Sequence, residues 1–270
     1  MVGKRLLGEP EATESGTSDQ RAVMARIRDL SKAPITEAVI DLRATLPEGF
    51  DPGEFSGLRS ALSHRYPDVE EHRLFRQKIE LGADGKQHSR EDRGLQGFFF
   101  RSEDHLDLAQ FRIDGLTFNR LKPYTNWEDV LAKAREVWSL YCQIACPDVV
   151  TRIAVRYINH LKIERQISRI SDYLTSPPPI PPEAPGSMSS FITKVVVLDA
   201  EEGIAANVIQ ALEKDVESQF PTIILDIDVY KTRDFGSQDE EVWLTFGALR
   251  ELKNRIFFGS VTETTVELFE

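Results

Sequence analysis

Thr36-Glu-Ala-Val-Ile-Asp-Leu-Arg43 and Thr151-Arg-Ile-Ala-Val-Arg-Tyr-Ile158 are two strand-like stretches of similar pattern within the same chain. In the first, apolar and polar residues alternate, which predicts a strand with one buried face. Later segments recur at nearly the same offset. Phe111-Arg-Ile-Asp114 corresponds to Ile223-Ile-Leu-Asp226, and a helix-like run from Asp129 corresponds to one from Glu241. The spacing predicts an internal duplication.

The order of predicted elements is also repeated: strand, helix, three or four strands, helix. We predict a disordered N-terminal tail over residues 1–24, a first α+β half over 25–147 and a second over 148–270, joined in one compact pseudo-twofold body. Met24 is a second candidate start of the chain. This element order matches a TATA-binding-protein-like topology, in which a curved antiparallel sheet carries its helices on one side. A fold does not by itself define a function.

Local signals define several elements. Asp114-Gly115 between two alternating runs predicts a hairpin turn, and Asn126 is placed to cap a helix that follows it. Apolar spacing predicts helices over Phe55–Tyr66, near Glu164–Leu174 and over Asp239–Phe257. The polar run Gly82–Gly94 is predicted to be a loop.

The composition is that of a globular protein, with a net charge of −11. A negative charge opposes nonspecific binding to nucleic acid, since that binding depends on Lys and Arg neutralising phosphates. No apolar run has the length needed to span a membrane, and no signal peptide is evident. We therefore expect a cytoplasmic protein without membrane contact. The sequence leaves the oligomeric state open.

Charge is unevenly distributed. Residues 199–241 hold twelve acids against three bases, whereas residues 112–165 hold nine bases against six acids. A basic seam on an acidic body is therefore one outcome that the sequence permits.

The two opening stretches also suggest a site. If they pair antiparallel at the centre of the sheet, one register places Glu37 opposite Arg156 and Asp41 opposite Arg152. Opposite charges facing each other across strands stabilise by roughly 0.2–1 kcal/mol per pair. This set is either a structural ladder that joins the halves or a binding site for an anionic ligand, because Arg suits phosphate and carboxylate groups. The candidate ligand-binding residues are Arg152, Arg156, Asn159, Glu37 and Asp41.

A second candidate is metal binding. Asp226-Ile-Asp228 places two carboxylates on one side of a strand, as a divalent cation requires. Acidic strands at a solvent face are common, however, and no third ligand is evident. The pair could equally face bases from the neighbouring basic segment. No Walker loop, GxGxxG or GxSxG motif is present, which argues against P-loop, Rossmann and α/β-hydrolase enzymes. We predict no cofactor and no catalytic residue.

Several segments together resemble a sporadically distributed family of uncharacterised prokaryotic proteins of similar length. They are Leu30-Ser-Lys-Ala-Pro-Ile-Thr-Glu-Ala-Val-Ile-Asp41, Tyr124-Thr-Asn-Trp127, Arg152-Ile-Ala-Val-Arg-Tyr-Ile-Asn159, Asp172-Tyr-Leu174 and Leu225-Asp-Ile-Asp228. The resemblance extends from Met24 to the C-terminus and carries no catalytic residues. Its patchy distribution implies an accessory locus of the defence or toxin–antitoxin type.

Together these features favour a non-enzymatic binding protein for a protein partner or an anionic ligand. The alternatives are a metal-dependent enzyme acting on a nucleotide or phosphoester and a nucleic-acid binder that uses the sheet face.

Overall fold

A computed structural model describes residues 24–82, 85–181, 183, 188–214 and 220–270. It has the predicted α+β class, with one open sheet of nine antiparallel strands. The strands are β1 (Ile35–Thr45), β2 (Asp68–Gly82), β3 (Gly85–Arg101), β4 (Asp107–Arg112), β5 (Gly115–Leu121), β6 (Val149–Lys162), β7 (Phe191–Asp199), β8 (Ile204–Lys214) and β9 (Pro221–Phe235). The α-helices are α1 (Leu58–Leu62), α2 (Trp127–Ala145), α3 (Glu240–Ser260) and α4 (Glu263–Val266).

The strands lie in the order β2-β3-β4-β5-β1-β6-β9-β8-β7, so β1 and β6 pair near the centre. On one side of the sheet, which we call the helix face, Ala38, Ile40 and Leu42 of β1 are fully buried. The two long helices α2 and α3 pack on this face and enclose the core. The other side, the open face, carries the polar residues of the alternating pattern.

Two local predictions are confirmed. Asn126 caps α2, because its side chain accepts a hydrogen bond from the Asp129 amide at 2.8 Å. The Asp114-Gly115 hairpin joins β4 to β5. Gly115 has φ of 134°, and a Cβ there would lie 2.0 Å from the Leu42 carbonyl oxygen, so only glycine fits this turn.

Three predictions are wrong in part. The predicted polar loop Gly82–Gly94 falls largely within a long β2–β3 hairpin, because backbone pairing does not depend on apolar side chains. The predicted helix near Glu164–Leu174 is reduced to a 3₁₀ turn at Ile170–Asp172. This segment instead forms a bridge from Leu174 to Val261, beyond α3. The Phe55–Tyr66 helix is a 3₁₀ turn followed by the short α1.

Residues 1–23 of the predicted tail lie outside the described residues, while Met24 pairs with Thr262 in an isolated bridge. Among the helices that the structure describes, none has the length and apolar character needed to cross a membrane.

Candidate functional site

The predicted joint between β1 and β6 exists, but its register differs from the prediction. The strands pair antiparallel with Val39 opposite Arg156 and Asp41 opposite Ala154, and Glu37 faces Ile158. The predicted register is therefore wrong by two residues, although the predicted ion pair between Asp41 and Arg152 does form. A shift of two leaves every side chain on its original face, so the alternating pattern cannot distinguish the two registers.

Asp41 is the centre of a network of charges on the open face. Although the register changed, Arg152 reaches Asp41 diagonally, with Nη1 donating to Oδ2 at 3.1 Å. Arg43 Nε donates to the same oxygen at 3.0 Å, and the Thr117 hydroxyl donates to Oδ1 at 2.6 Å. Arg112 Nη2 lies 3.6 Å from Oδ1. Asp41 itself is buried, so these arginines compensate a charge that is largely shielded from water.

The two predicted arginines find their other partners on β9. Arg156 forms a bidentate ion pair with Asp226, with N···O distances of 2.8 and 2.6 Å. These hydrogen bonds to Asp226 raise the pKa of the Arg156 guanidinium. Arg152 Nη2 lies 3.0 Å from Asp228 Oδ2, and its guanidinium stacks over the Tyr230 ring at 4.6 Å. We call Asp41, Arg43, Arg112, Arg152, Arg156, Asp226 and Asp228 the seam network.

In the described structure neither Glu37 nor Asn159 hydrogen-bonds to these arginines, although Glu37 lines the same groove as Asp41, Arg152 and Arg156. Glu37 accepts a hydrogen bond from Asn119 Nδ2 at 2.6 Å instead of facing Arg156. Asn159 is buried and lies on the helix face, where its amide donates to the Leu225 carbonyl at 2.9 Å. The structure thus divides the predicted set between the two faces of the sheet.

The seam network also bears on the metal hypothesis. Asp226 and Asp228 do lie on one side of β9, but each carboxylate is bound by an arginine. No group of three or more His, Cys, Asp or Glu side chains that could hold a metal ion occurs in the described part of the chain. A groove of about 570 Å³ lies over the network, and its cations and carboxylates largely neutralise each other.

A larger cleft of about 1400 Å³ lies elsewhere, at the end of β6 and beside α3. Its walls are residues 27–36, 122–128, 159–160 and 162–165, the second half of α3, and Leu268 with Phe269. Three carboxylates line it (Asp29, Glu128 and Glu164) against seven basic side chains, Arg28, Lys32, Lys122, Lys162, Arg165, Arg250 and Lys253. We call this site the basic cleft. Its excess of positive charge contrasts with the net charge of −11.

Lys253 is the most unusual residue of the basic cleft. Its Nζ lies 4.0 Å from the centre of the Tyr157 ring, and no ion pair joins it to a carboxylate among the described residues. Burial of the amine, together with the charge of Arg250, lowers the pKa of Lys253 to about 7. A cation without a carboxylate partner is held there by a ring face, so an anionic ligand would relieve an existing electrostatic cost.

Aromatic side chains surround Lys253: Tyr124 and Trp127 line the cleft, whereas Tyr157 lies buried beneath the amine. The Tyr157 hydroxyl is 3.0 Å from the Tyr124 hydroxyl, and the two rings meet edge to face. Arg250 lies over the Trp127 ring at 5.5 Å and 3.6 Å from Glu128. Flat rings next to cations form a surface that suits a ligand with both an anionic group and a planar part.

Arg250 and Lys253 were not among the residues predicted from the sequence, although a signal was present. Val242, Phe246, Leu249 and Phe257 form the buried stripe of α3, and Lys253 occupies the next position on that stripe. A lysine at an apolar-stripe position is rarely buried without a reason. Four further cleft residues (Lys122, His160, Lys162 and Arg165) come from the basic segment 112–165.

Comparison with known proteins adds no assignment to this geometry. The chain matches no family model, no curated protein and no solved structure.

Proposed function

We propose that this chain is a non-enzymatic binding protein that holds an anionic ligand in the basic cleft. The observation that carries the proposal is that seven basic side chains but only three carboxylates line one cleft of an acidic chain. Arg28 is already paired with Glu263 and Glu270, but Lys253 keeps no carboxylate partner in the described structure. An anionic ligand would supply the negative partner that Lys253 lacks.

The side chains that line the basic cleft limit the class of ligand that it can bind. Arg250 and Lys253 lie one helical turn apart on α3, and the aromatic side chains Tyr124 and Trp127 line the same cleft. A phosphate or carboxylate group would contact the cations, while a planar ring would pack against the aromatic side chains. Nucleotides and other phosphorylated aromatic molecules have both parts.

Fluorescence titration with a methylanthraniloyl-labelled ATP tests the proposal, with unlabelled ATP and pyrophosphate as competitors. Because one charge-assisted hydrogen bond contributes about 1.5–3 kcal/mol, Lys253→Met and Arg250→Gln should each weaken binding by roughly tenfold or more. Arg156→Gln is the matched control, since it makes the same chemical change within the seam network and should alter affinity less than about twofold.

The outcomes separate two sites. If Arg156→Gln weakens binding and the two cleft variants do not, the ligand occupies the groove over the seam network and the cleft proposal is wrong. If the parent chain binds neither the labelled nucleotide nor pyrophosphate, binding of phosphorylated anions is excluded.

We further propose that the chain is an internal duplication with a TATA-binding-protein-like topology. The central pairing of β1 with β6 supports this, as does the position of β5 and β9 on their outer sides. A long helix follows β5 and another follows β9. In an alignment of related sequences, residues 35–145 should align to residues 150–257; unrelated profiles for the two segments would contradict the duplication.

The accessory or defence setting rests on the family resemblance alone, and a protein partner in that setting stays a proposal. Affinity purification from the native host, followed by mass spectrometry of co-purifying proteins, nucleic acid and metabolites, tests it. The metal-dependent and nucleic-acid-binding alternatives gain no support from the paired carboxylates and balanced charges at the centre of the open face.

A further inference from the structure

The two ends of the sheet differ in how they are protected. β7 is the last strand at one end, and no strand of the described residues pairs with its outer edge. An unpaired edge presents a row of backbone N–H and C=O groups that can pair with another strand. At the other end of the sheet the last strand is β2, which pairs with β3 on its inner side.

The side chains of β7 are apolar on both faces. Five large apolar side chains of this strand are exposed: Ile192 (75%), Val195 (55%), Val196 (53%), Val197 (38%) and Leu198 (74%). Such a strand would normally be buried on both sides. A cluster of exposed aliphatic residues on a free edge marks an interaction surface.

The strand at the opposite edge is built differently. Between Asp68 and Arg76, β2 carries five charged side chains, which are Asp68, Glu70, Glu71, Arg73 and Arg76. Charges on an edge strand hinder pairing with other chains. Between Phe191 and Asp199, β7 carries only Lys194 and Asp199. Charged side chains therefore protect the β2 edge against pairing, whereas the β7 edge has few of them.

A strand that pairs with β7 must itself be apolar on both faces, and β7 of a second copy meets this requirement. About a twofold axis at Val195, Val195 faces its own copy, Thr193 faces Val197, and Ile192 faces Leu198. Such an isologous contact uses the same patch on both subunits and closes after two copies.

Charges are compatible with this register. Lys194 would face Val196 of the second copy, so the two lysines are not opposed, and Asp199 would face Phe191. The acidic turn with Glu201 and Glu202 would lie beyond the uncharged residues Met188–Ser190 of the other strand. No like charges face each other along the pairing, although the chain as a whole is acidic.

We propose that β7 pairs antiparallel with β7 of a second copy of this chain, so that the two sheets join into one continuous sheet in a twofold dimer. Sedimentation equilibrium of the full chain over a range of about 1–100 μM, spanning common dimer affinities, tests this. A mass approaching twice 30.6 kDa is expected as the concentration rises.

Val195→Lys gives the decisive variant, because it places two lysines face to face on the axis. Its dimer dissociation constant should rise at least tenfold, since like charges opposite each other replace apolar contact. Leu244→Lys is the matched control: it makes a similar change at an exposed position of α3 and should leave the dimer intact.

Mixing provides a test that misfolding cannot imitate. Val195→Lys and Val195→Glu should each be monomeric alone, and an equimolar mixture should form the heterodimer through the opposed charges. A parent chain that is monomeric throughout the range, or a Val195→Lys variant that dimerises like the parent, would overturn the proposal. Open-ended assembly beyond two copies would also overturn it, because a closed twofold contact leaves no second β7 edge.

Discussion

The seam network and the basic cleft are both rich in arginine or lysine, but they differ in what faces the cations. In the seam network Arg152 and Arg156 contact carboxylates at 2.6–3.2 Å. In the basic cleft, Lys253 faces a tyrosine ring and Arg250 lies 3.6 Å from its carboxylate. Cations that are already neutralised hold the sheet together, whereas cations that lack close partners are available to a ligand.

The largest effect is expected from removal of the carboxylate at the centre of the seam network. Asp41→Ala removes a buried carboxylate that several arginines share, so the free energy of unfolding should fall by about 3 kcal/mol. Urea denaturation measures it. Glu71→Ala is the control, because its pair with Arg73 is exposed and should change stability by less than about 0.5 kcal/mol. A loss below about 1 kcal/mol for Asp41→Ala would mean that the network is not structural.

In the basic cleft, removal of the Lys253 cation should instead raise the free energy of unfolding. The pKa of Lys253 is lowered to about 7, so between about pH 7 and its ordinary value the unfolded chain binds more protons. Stability from this group therefore rises with pH across that window. Lys253→Met should stabilise the protein by on the order of 2 kcal/mol at pH 6.

This gain should shrink by pH 9.5, as measured by urea denaturation at the two pH values. Lys32→Met alters an exposed lysine of the same cleft and should give the same small difference at both. A stability gap for Lys253→Met that does not vary with pH would refute the depressed pKa.

Ligand binding should follow the same titration. An anion prefers the charged amine, so the affinity for labelled ATP should fall by about fivefold to tenfold from pH 7 to pH 9.5, as Lys253 loses its proton. The Lys253→Met variant should show a flat profile over this range. If the parent profile is also flat, Lys253 does not contact the ligand.

The smallest effect on ligand affinity is expected from removal of an acidic side chain of the basic cleft. Glu128 is one of three carboxylates of the cleft and is mostly exposed. Glu128→Gln should strengthen binding of labelled ATP about twofold to threefold at low ionic strength, because it removes one opposing charge. The gain should disappear near 1 M salt, where the Debye length is about 3 Å. Weaker binding in the variant would show that Glu128 contacts the ligand favourably.

Sequence patterns predict most of the strands and the two long helices, and they suggest the antiparallel pairing of β1 with β6 that the structure shows. Alternation and capping are local signals, and local signals fix which side chains share a face. The register between β1 and β6 follows only from the folded structure, because a shift of two residues leaves every side chain on the same face of the sheet. The tertiary structure also decided that Asp226 and Asp228, from β9, would neutralise the two arginines.

The basic cleft depended on tertiary structure still more. Its walls come from five segments of the chain, most of them far apart in sequence, and no local pattern predicts that they meet. The sequence did show a lysine on the buried stripe of α3 and a basic segment at 112–165. Packing alone brought these together and placed the Lys253 amine against a ring instead of a carboxylate, because burial and charge pairing depend on neighbours that are distant in sequence.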